Sequence, residues 1–372
     1  MKKIIKIVLL SILFIIIFGL IITLVFPFTR GGNKELSSFD NVLSSTIGSS
    51  EDKYDTKITE IALLGAHDAF SNGITFNSDP NVNEGGIVNN RIVRFFTKGF
   101  IVKMSKAQAA SAKEMLYAGV RYFDVRITKI DNEFYACHGL LSSKLDDYVS
   151  DIVEFLSTHN KEYIIFDIQH YYTENGSNQE LKDEDYEALF NKLTELGLMD
   201  YIYYSKETKE LKDLTYRDLT NNATSSGVLM LAKTNINPKV YYRDNDANKN
   251  TNIKYETIRS YWHNTNSIDA LLSGIDTEYE FIKENGYDSN ILRVNQAQLT
   301  GFIMDKNIYR SILGYSLINM ASNSNKKIIE DEAKFKEHLK VMPIVMVDYV
   351  TSTKGDFNNL VNTYIMEYNN TL

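Results

Sequence analysis

The chain has a single cysteine, Cys137, no excess of basic residues and no internal repeat of solenoid period. One thiol cannot close an intrachain disulfide, so stability must come from packing. Nothing near Cys137 marks an activated thiol, which argues against a cysteine nucleophile. With 40 basic residues against 48 acidic ones the net charge is −8, a poor match for nucleic acid. Wholesale disorder is excluded as well: 44% of the 372 residues are hydrophobic and 24% charged, enough for one large domain or two small ones.

Acidic residues are missing from the first thirty positions, where apolar ones concentrate. "MKKIIKIVLLSILFIIIFGLIITLVFPFTR" holds an almost unbroken apolar run from Ile7 to Phe28. At ~1.5 Å per helical residue this exceeds a ~30 Å bilayer core. It shows neither the shorter apolar region of roughly 7–15 residues nor the small-residue cleavage site of a removable signal. Residues 1–30 therefore predict an uncleaved transmembrane signal anchor. Lys2, Lys3 and Lys6 precede the run and Arg30 follows it, so the basic excess places the N-terminus inside and the rest of the chain outside. The expected location is the cell membrane, single-pass, with an extracytoplasmic domain. Four of the 40 basic residues and none of the 48 acidic ones fall in this stretch, leaving −12 on the remainder. Residues 31–56, rich in Gly, Ser, Asn and charge, read as a flexible stem. No second linker divides 57–372.

Within 57–372, strand-like runs alternate with longer amphipathic segments. The runs are "ITEIALLG", "GVRYFDVRI", "EFYACHG", "YIIFDIQ", "GVLMLAK", "ILRVNQAQ" and "PIVMVDYV". Strand then helix, repeated, predicts a mostly parallel α/β architecture. "DDYVSDIVEFLSTHN" and "DEDYEALFNKLTELGL" space apolar residues by three and four and read as helices covering the sheet. Seven or eight strands in this length fit a closed β/α barrel, whose working residues sit at the C-terminal strand ends.

Polar residues at those ends are His67 and Asp68, Asp124 and Arg126, His138, and Asp348. Strand alternation in "RYFDVRIT" sends Tyr122, Asp124 and Arg126 to one face. A buried ion pair filling a barrel layer explains that pair taken alone. Two histidines with acids and an arginine ask for more. Histidine titrates near ~6.5, so one ring accepts a proton while another donates one at neutral pH. Arginine's planar fork suits a phosphate between them.

The stretches "LLGAHDAF", "AGVRYFDVRITKIDNEFYACHGLLSSKLDDYVSDIVEFLSTHNKEYIIFDIQHYY" and "IVMVDYV" resemble the X domain of phosphatidylinositol-specific phospholipase C, a distorted (β/α) TIM-type barrel family. The resemblance is strongest over residues 57–170 and looser over 171–340. It implies that 57–372 is a catalytic domain cleaving inositol phospholipid to diacylglycerol and a 1,2-cyclic inositol phosphate. His67 is then the general base toward the inositol 2-hydroxyl and His138 the general acid toward the leaving oxygen. Arg126 stabilises phosphoryl charge, Asp348 orients His67, and Asp68 assists His138, with Asp124 beside them. Where eukaryotic members carry an acidic calcium ligand this chain has Arg126, which implies the metal-independent bacterial type and no cofactor. The inositol-recognition positions align with Gln169, Lys233, Gln296 and Gln298, of which only Lys233 keeps its charge type, so the head group is open between phosphatidylinositol, a glycosylphosphatidylinositol and another phosphodiester.

Other motifs carry less. "DNDANKNTNIKYE" from Asp244 has Lys249 where a calcium loop needs Gly and Tyr255 where it needs the bidentate Glu, and reads as a solvated loop. Arg91, Arg94, Lys98, Lys103 and Lys106 interleave with Phe95, Phe96 and Phe100 in residues 91–106, a pattern that suits either an anionic membrane surface or a packed helix. His170, Trp262 and His263 are candidates for the mouth of the site or for packing. His159 reads as a helix C-terminal residue and His338 as a solvated helix face. Two readings compete with the lipase: a glycerophosphodiesterase-like barrel, which Arg126 disfavours beside a metal, and a barrel that binds inositol head groups or a partner without cleaving them. Two histidines at separate strand ends argue against the second.

Overall fold

Short runs of apolar residues, each bounded by polar turns, lie side by side as parallel strands in the computed structural model, which describes residues 2–25, 37–85, 89–244, 257–284, 290–301, 316–351 and 354–372. The strands that form the barrel path are β1 (Leu63–Ala66), β2 (Val120–Ile130), β5 (Tyr163–Thr173), β7 (Gly227–Ala232), β8 (Tyr241–Tyr242), β9 (Ile258–Tyr261), β10 (Leu292–Gln296) and β11 (Ile344–Val347). Their spatial order is β8-β7-β5-β2-β1-β11-β10-β9, every neighbour parallel. β1, β7 and β11 are buried throughout, as a sheet covered on both faces requires.

Among the described residues the path is an open, curled barrel rather than a closed one, and no ladder joins β8 to β9. Asp244 bridges the seam instead: its carboxylate accepts from Thr257 N (3.2 Å) and Ile258 N (3.1 Å), and the single proton of Thr257 Oγ1 lies between that carboxylate (2.6 Å) and Tyr242 O (2.7 Å). The rest of the calcium-like stretch lies outside the described residues.

One predicted barrel strand takes another place. "EFYACHG" forms β3 (Glu133–His138), which pairs antiparallel with the far end of β2 and with β4 (Leu140–Lys144), as the short β6 (Gly176–Ser177) does with β5. The cause is local. Asp131 and Asn132, at φ of 50° and 64°, make a two-residue turn that joins antiparallel strands and is too short for a parallel crossover.

The two predicted helices form over Leu145–Thr158 and Asp183–Glu195, each burying one apolar stripe. In the first, Tyr148 stacks on Phe70 at 4.5 Å between ring centroids. At the opposite end of the sequence's expectations, residues 37–56 are not a free stem. Val42, Leu43, Thr46 and Ile47 are buried against the bottom of the barrel, and Leu43 N and Ser44 N donate to the Glu162 carboxylate at 3.3 and 2.7 Å. Arg121 donates through Nε to the same carboxylate and through Nη2 to Asp40 O, both at 2.8 Å. A few apolar residues among serines thus close the N-terminal end of the strands. Residues 31–36 lie outside the described residues.

The apolar run forms α1 (Lys2–Val25), with Ile4, Leu9, Phe14 and Ile15 exposed. Among the described residues no helix is long and apolar enough to cross a membrane. Residues 91–105 form α2 (Arg91–Ser105); the side chains of Phe95 and Phe96 lie outside the described residues.

Candidate active site

β1 ends at Ala66, and the next two residues turn out of the ladder toward the barrel's upper end. Asp68 adopts a left-handed φ of 41°, a conformation that aspartate tolerates better than most side chains, and its carboxylate is buried. His67 Nδ1 donates to Asp348 Oδ1 at 2.7 Å, from the residue that follows β11. His67 Nε2 lies 3.4 Å from Asp68 Oδ2 and 3.9 Å from Asp124 Oδ2. Arg126 Nε pairs with Asp68 Oδ1. His138 Nδ1 donates to Ser105 O at 2.9 Å and lies 3.2 Å from Asp68 Oδ2. The two imidazole centroids are 6.5 Å apart, with the rings at 75°. Each ring commits Nδ1 to a fixed acceptor, which assigns the exchangeable chemistry to Nε2.

The electrostatics follow from burying three carboxylates beside one guanidinium and two imidazoles. Burial lowers the His67 pKa, but Asp68 and Asp348 outweigh it and raise it from 6.5 to about 9. Burial raises the Asp68 pKa, and Arg126, His138 and His67 together outweigh that, holding it well below the usual range. Burial, helped by the neighbouring Asp68 and Asp167 carboxylates, outweighs His67 and Arg126 and pushes Asp124 up to about 6. Burial likewise raises Asp348.

A cavity of about 400 Å³ opens over this cluster, and His67, Arg126, His138 and Asp348 line it. Asp68 and Asp124 stand behind them. The four predicted recognition residues, Gln169, Lys233, Gln296 and Gln298, line the same cavity. Gln298 Nε2 donates to Gln296 Oε1 at 2.9 Å, and Gln296 Nε2 donates to Ser260 Oγ at 2.7 Å. His170 and Trp262 also border it, Trp262 donating from Nε1 to Thr300 Oγ1 at 3.0 Å. His170 Nδ1 accepts from Asn178 Nδ2 at 3.0 Å, and burial beside Arg126 and Arg243 lowers its pKa to about 2, so the ring is neutral. His263 does not border the cavity; it packs edge-on to Tyr261. His159 caps its helix, whereas His338 is buried against Tyr279 instead of solvated.

Sequence reasoning missed Arg243 and Asp167. Arg243 Nε donates to Asp167 Oδ1 and Oδ2 at 2.7 and 3.0 Å, Tyr122 OH donates to Asp167 Oδ2 at 2.5 Å, and Arg243 reaches the cavity wall. Alternation along "YIIFDIQ" places Asp167 on the same face as Gln169 and was the available signal. Arg243 follows a two-residue strand that has no period to read.

His67, Asp68 and Asp124 bring one ligand atom each within 4.8 Å of one another, the spacing of a metal site. Both Asp68 oxygens already face Arg126 and the histidines, so an ion held there would sit beside a fixed guanidinium charge.

No family model matches the chain. Mouse PI-PLC X domain-containing protein 3 is 36% identical over 121 residues, 31% of this chain and 38% of that protein. The variant-surface-glycoprotein phospholipase C of Trypanosoma cruzi is 32% identical over 130 residues, 32% of this chain and 34% of that protein. The chain thus spans little more than a third of the length of these curated relatives. A variant of the phosphatidylinositol-specific phospholipase C from Staphylococcus aureus superposes with a TM-score of 0.58 at 15% identity, covering 89% of this chain and 98% of that one. The Listeria monocytogenes enzyme gives 0.55 at 17% identity, covering 89% and 98%. The chain thus shares the curled barrel fold of these bacterial enzymes and, over about a third of its length, is similar in sequence to phosphatidylinositol-specific phospholipase C X-domain proteins.

Proposed function

We propose that the protein is a metal-independent phosphodiesterase that cleaves an inositol phospholipid into diacylglycerol and a 1,2-cyclic inositol phosphate. The observation that carries this reading is the pair of imidazoles 6.5 Å apart on one cavity wall, each with Nδ1 anchored and with Arg126 beside them. His67 Nε2 takes the proton of the inositol 2-hydroxyl, and that oxygen attacks phosphorus. The bond from phosphorus to the glycerol oxygen breaks, and His138 Nε2 returns a proton to the leaving oxygen. Holding both partners in one molecule makes the attack intramolecular, which accounts for an absent external nucleophile. Arg126 carries the charge that builds on the phosphoryl oxygens, the task a cation performs elsewhere. Gln169, Lys233, Gln296 and Gln298 bind the head group, with neutral amides at three of the four positions.

The test presents phosphatidylinositol in mixed micelles to the full chain with excess chelator and follows the phosphorus NMR signal of a five-membered cyclic phosphate. Product from the intact protein, lost in His67→Ala and in His138→Ala, is expected. No product from phosphatidylinositol or a glycosylated inositol lipid sinks the reading and leaves another phosphodiester, or binding without cleavage.

Anchoring through residues 1–30, with the domain outside the cell, belongs to the same proposal, as does contact of residues 91–106 with an anionic bilayer. The exposed isoleucine and leucine side chains along residues 4–17 support the anchor. Recovery of the protein in the soluble fraction after cell lysis refutes the anchor and leaves the chemistry standing.

A further inference from the structure

We propose that Gln108 is a positioning residue for this reaction, and that the four residues 105–108 act as one bracket setting the base and acid histidines relative to each other. The inference rests on the acid–base reading above. The ladder between β1 and β11 ends with Ala66 opposite Val347 and His67 N donating to Val347 O at 3.1 Å. Beyond that point the strands part to release His67 and Asp348 into the site. The Gln108 carboxamide fills the gap. Its Nε2 donates to His67 O and to Val347 O, both at 3.0 Å, and its Oε1 accepts from Val350 N at 3.1 Å. The side chain is fully buried, and both its N–H groups and its oxygen are used. A buried amide with every polar atom committed specifies geometry that an apolar side chain of the same volume cannot.

The backbone of the same segment holds the other members. Ser105 O accepts from His138 Nδ1 at 2.9 Å. Lys106 O accepts from Tyr349 OH at 2.7 Å, and Ala107 O accepts from Tyr349 N at 2.8 Å. Tyr349 follows Asp348 directly and sits at a left-handed φ of 48°, a conformation that costs an aromatic residue free energy unless its surroundings fix it. Ser71 Oγ, three residues past Asp68, accepts from Ala107 N and Gln108 N at 3.0 Å each. Through these bonds one short segment touches the backbone of the base, the residues flanking its carboxylate partner, and the ring of the acid.

Gln108→Leu keeps volume and removes the three bonds. The full chain is compared with this variant by thermal unfolding, by kcat and KM toward phosphatidylinositol, and by the far-downfield proton NMR signal of His67 Nδ1–H in lipid-free protein. A folded variant with kcat about 100-fold lower, KM within about twofold, and the downfield signal lost or shifted is expected, since misplacement by ~1 Å costs about that much. Its kcat/KM rise moves to lower pH, because His67 loses part of its hold on Asp348. A folded variant with wild-type kcat and an unchanged signal overturns the proposal. Should Gln108→Leu not fold, Ser71→Ala removes a single oxygen and loosens the same bracket: about tenfold lower kcat with unchanged KM supports it, and wild-type kcat overturns it. Failure of the intact protein to cleave any inositol lipid refutes the reaction, while the proton signal still decides whether Gln108 sets the His67–Asp348 pair.

Discussion

Asp348 and His67 lie 281 residues apart in sequence and 2.7 Å apart in space, so the last barrel strand supplies the partner of a residue carried by the first. That pairing controls how the protein responds to pH. The His67 pKa is raised from 6.5 to about 9, so the ring is protonated in the free protein at neutral pH and must lose its proton to act as a base. We expect kcat/KM to climb with pH toward about 9, and Asp348→Asn to shift the climb to lower pH. The same linkage adds stability below pH 6.5 that is lost as pH rises through about 9, and Asp348→Asn flattens that loss in melts across this window.

Arg126→Lys keeps the charge and loses the fork. Because Nε is already engaged by Asp68, a shorter reach and a point charge leave the phosphoryl oxygens poorly met. A fall in kcat of about 10²–10³ is expected, the range of a lost transition-state donor. Chelator leaves both proteins unchanged; inhibition of the intact protein by chelator contradicts the arginine assignment.

Glu162→Ala breaks a buried pair with Arg121 and also strips the acceptor from Leu43 N and Ser44 N. Removing one member of such a pair strands the other, at a cost of about 3–5 kcal/mol. Urea denaturation should show the midpoint falling with little change in slope.

A chain beginning at residue 57 loses Val42, Leu43 and Ile47 from the barrel floor, whereas one beginning at residue 37 keeps them. The first is expected to melt well below the second, because burying each such aliphatic side chain contributes about 1.5–3 kcal/mol. Equal melting temperatures mean the floor packing is dispensable.

How far the sequence could be read depends on the reach of each signal. Alternation in "RYFDVRIT" and "YIIFDIQ" is a local property, and both strands form where it places them. His67, Asp124, Arg126, His138 and Asp348 converge in space, and the four recognition positions line one cavity. Three features stayed hidden for physical reasons. Residues 37–56 carry their few buried apolar residues among serines and asparagines, so composition outweighs pattern. The place of β3 follows from the Asp131-Asn132 turn and not from the apolar run itself. Gln108 and Arg243 find their partners on elements far apart in sequence, which no window of residues contains.

The adjacency of β1 and β11 also dictates an order of assembly. A chain made from its N-terminus forms the β1–β2 pairing early, yet cannot pair β1 with β11 until residues 344–347 have emerged. Closing so long a loop is the slow step of such a topology. His67 therefore lacks the Asp348 carboxylate in every shorter nascent chain, and the site is completed only after residue 348 has been made.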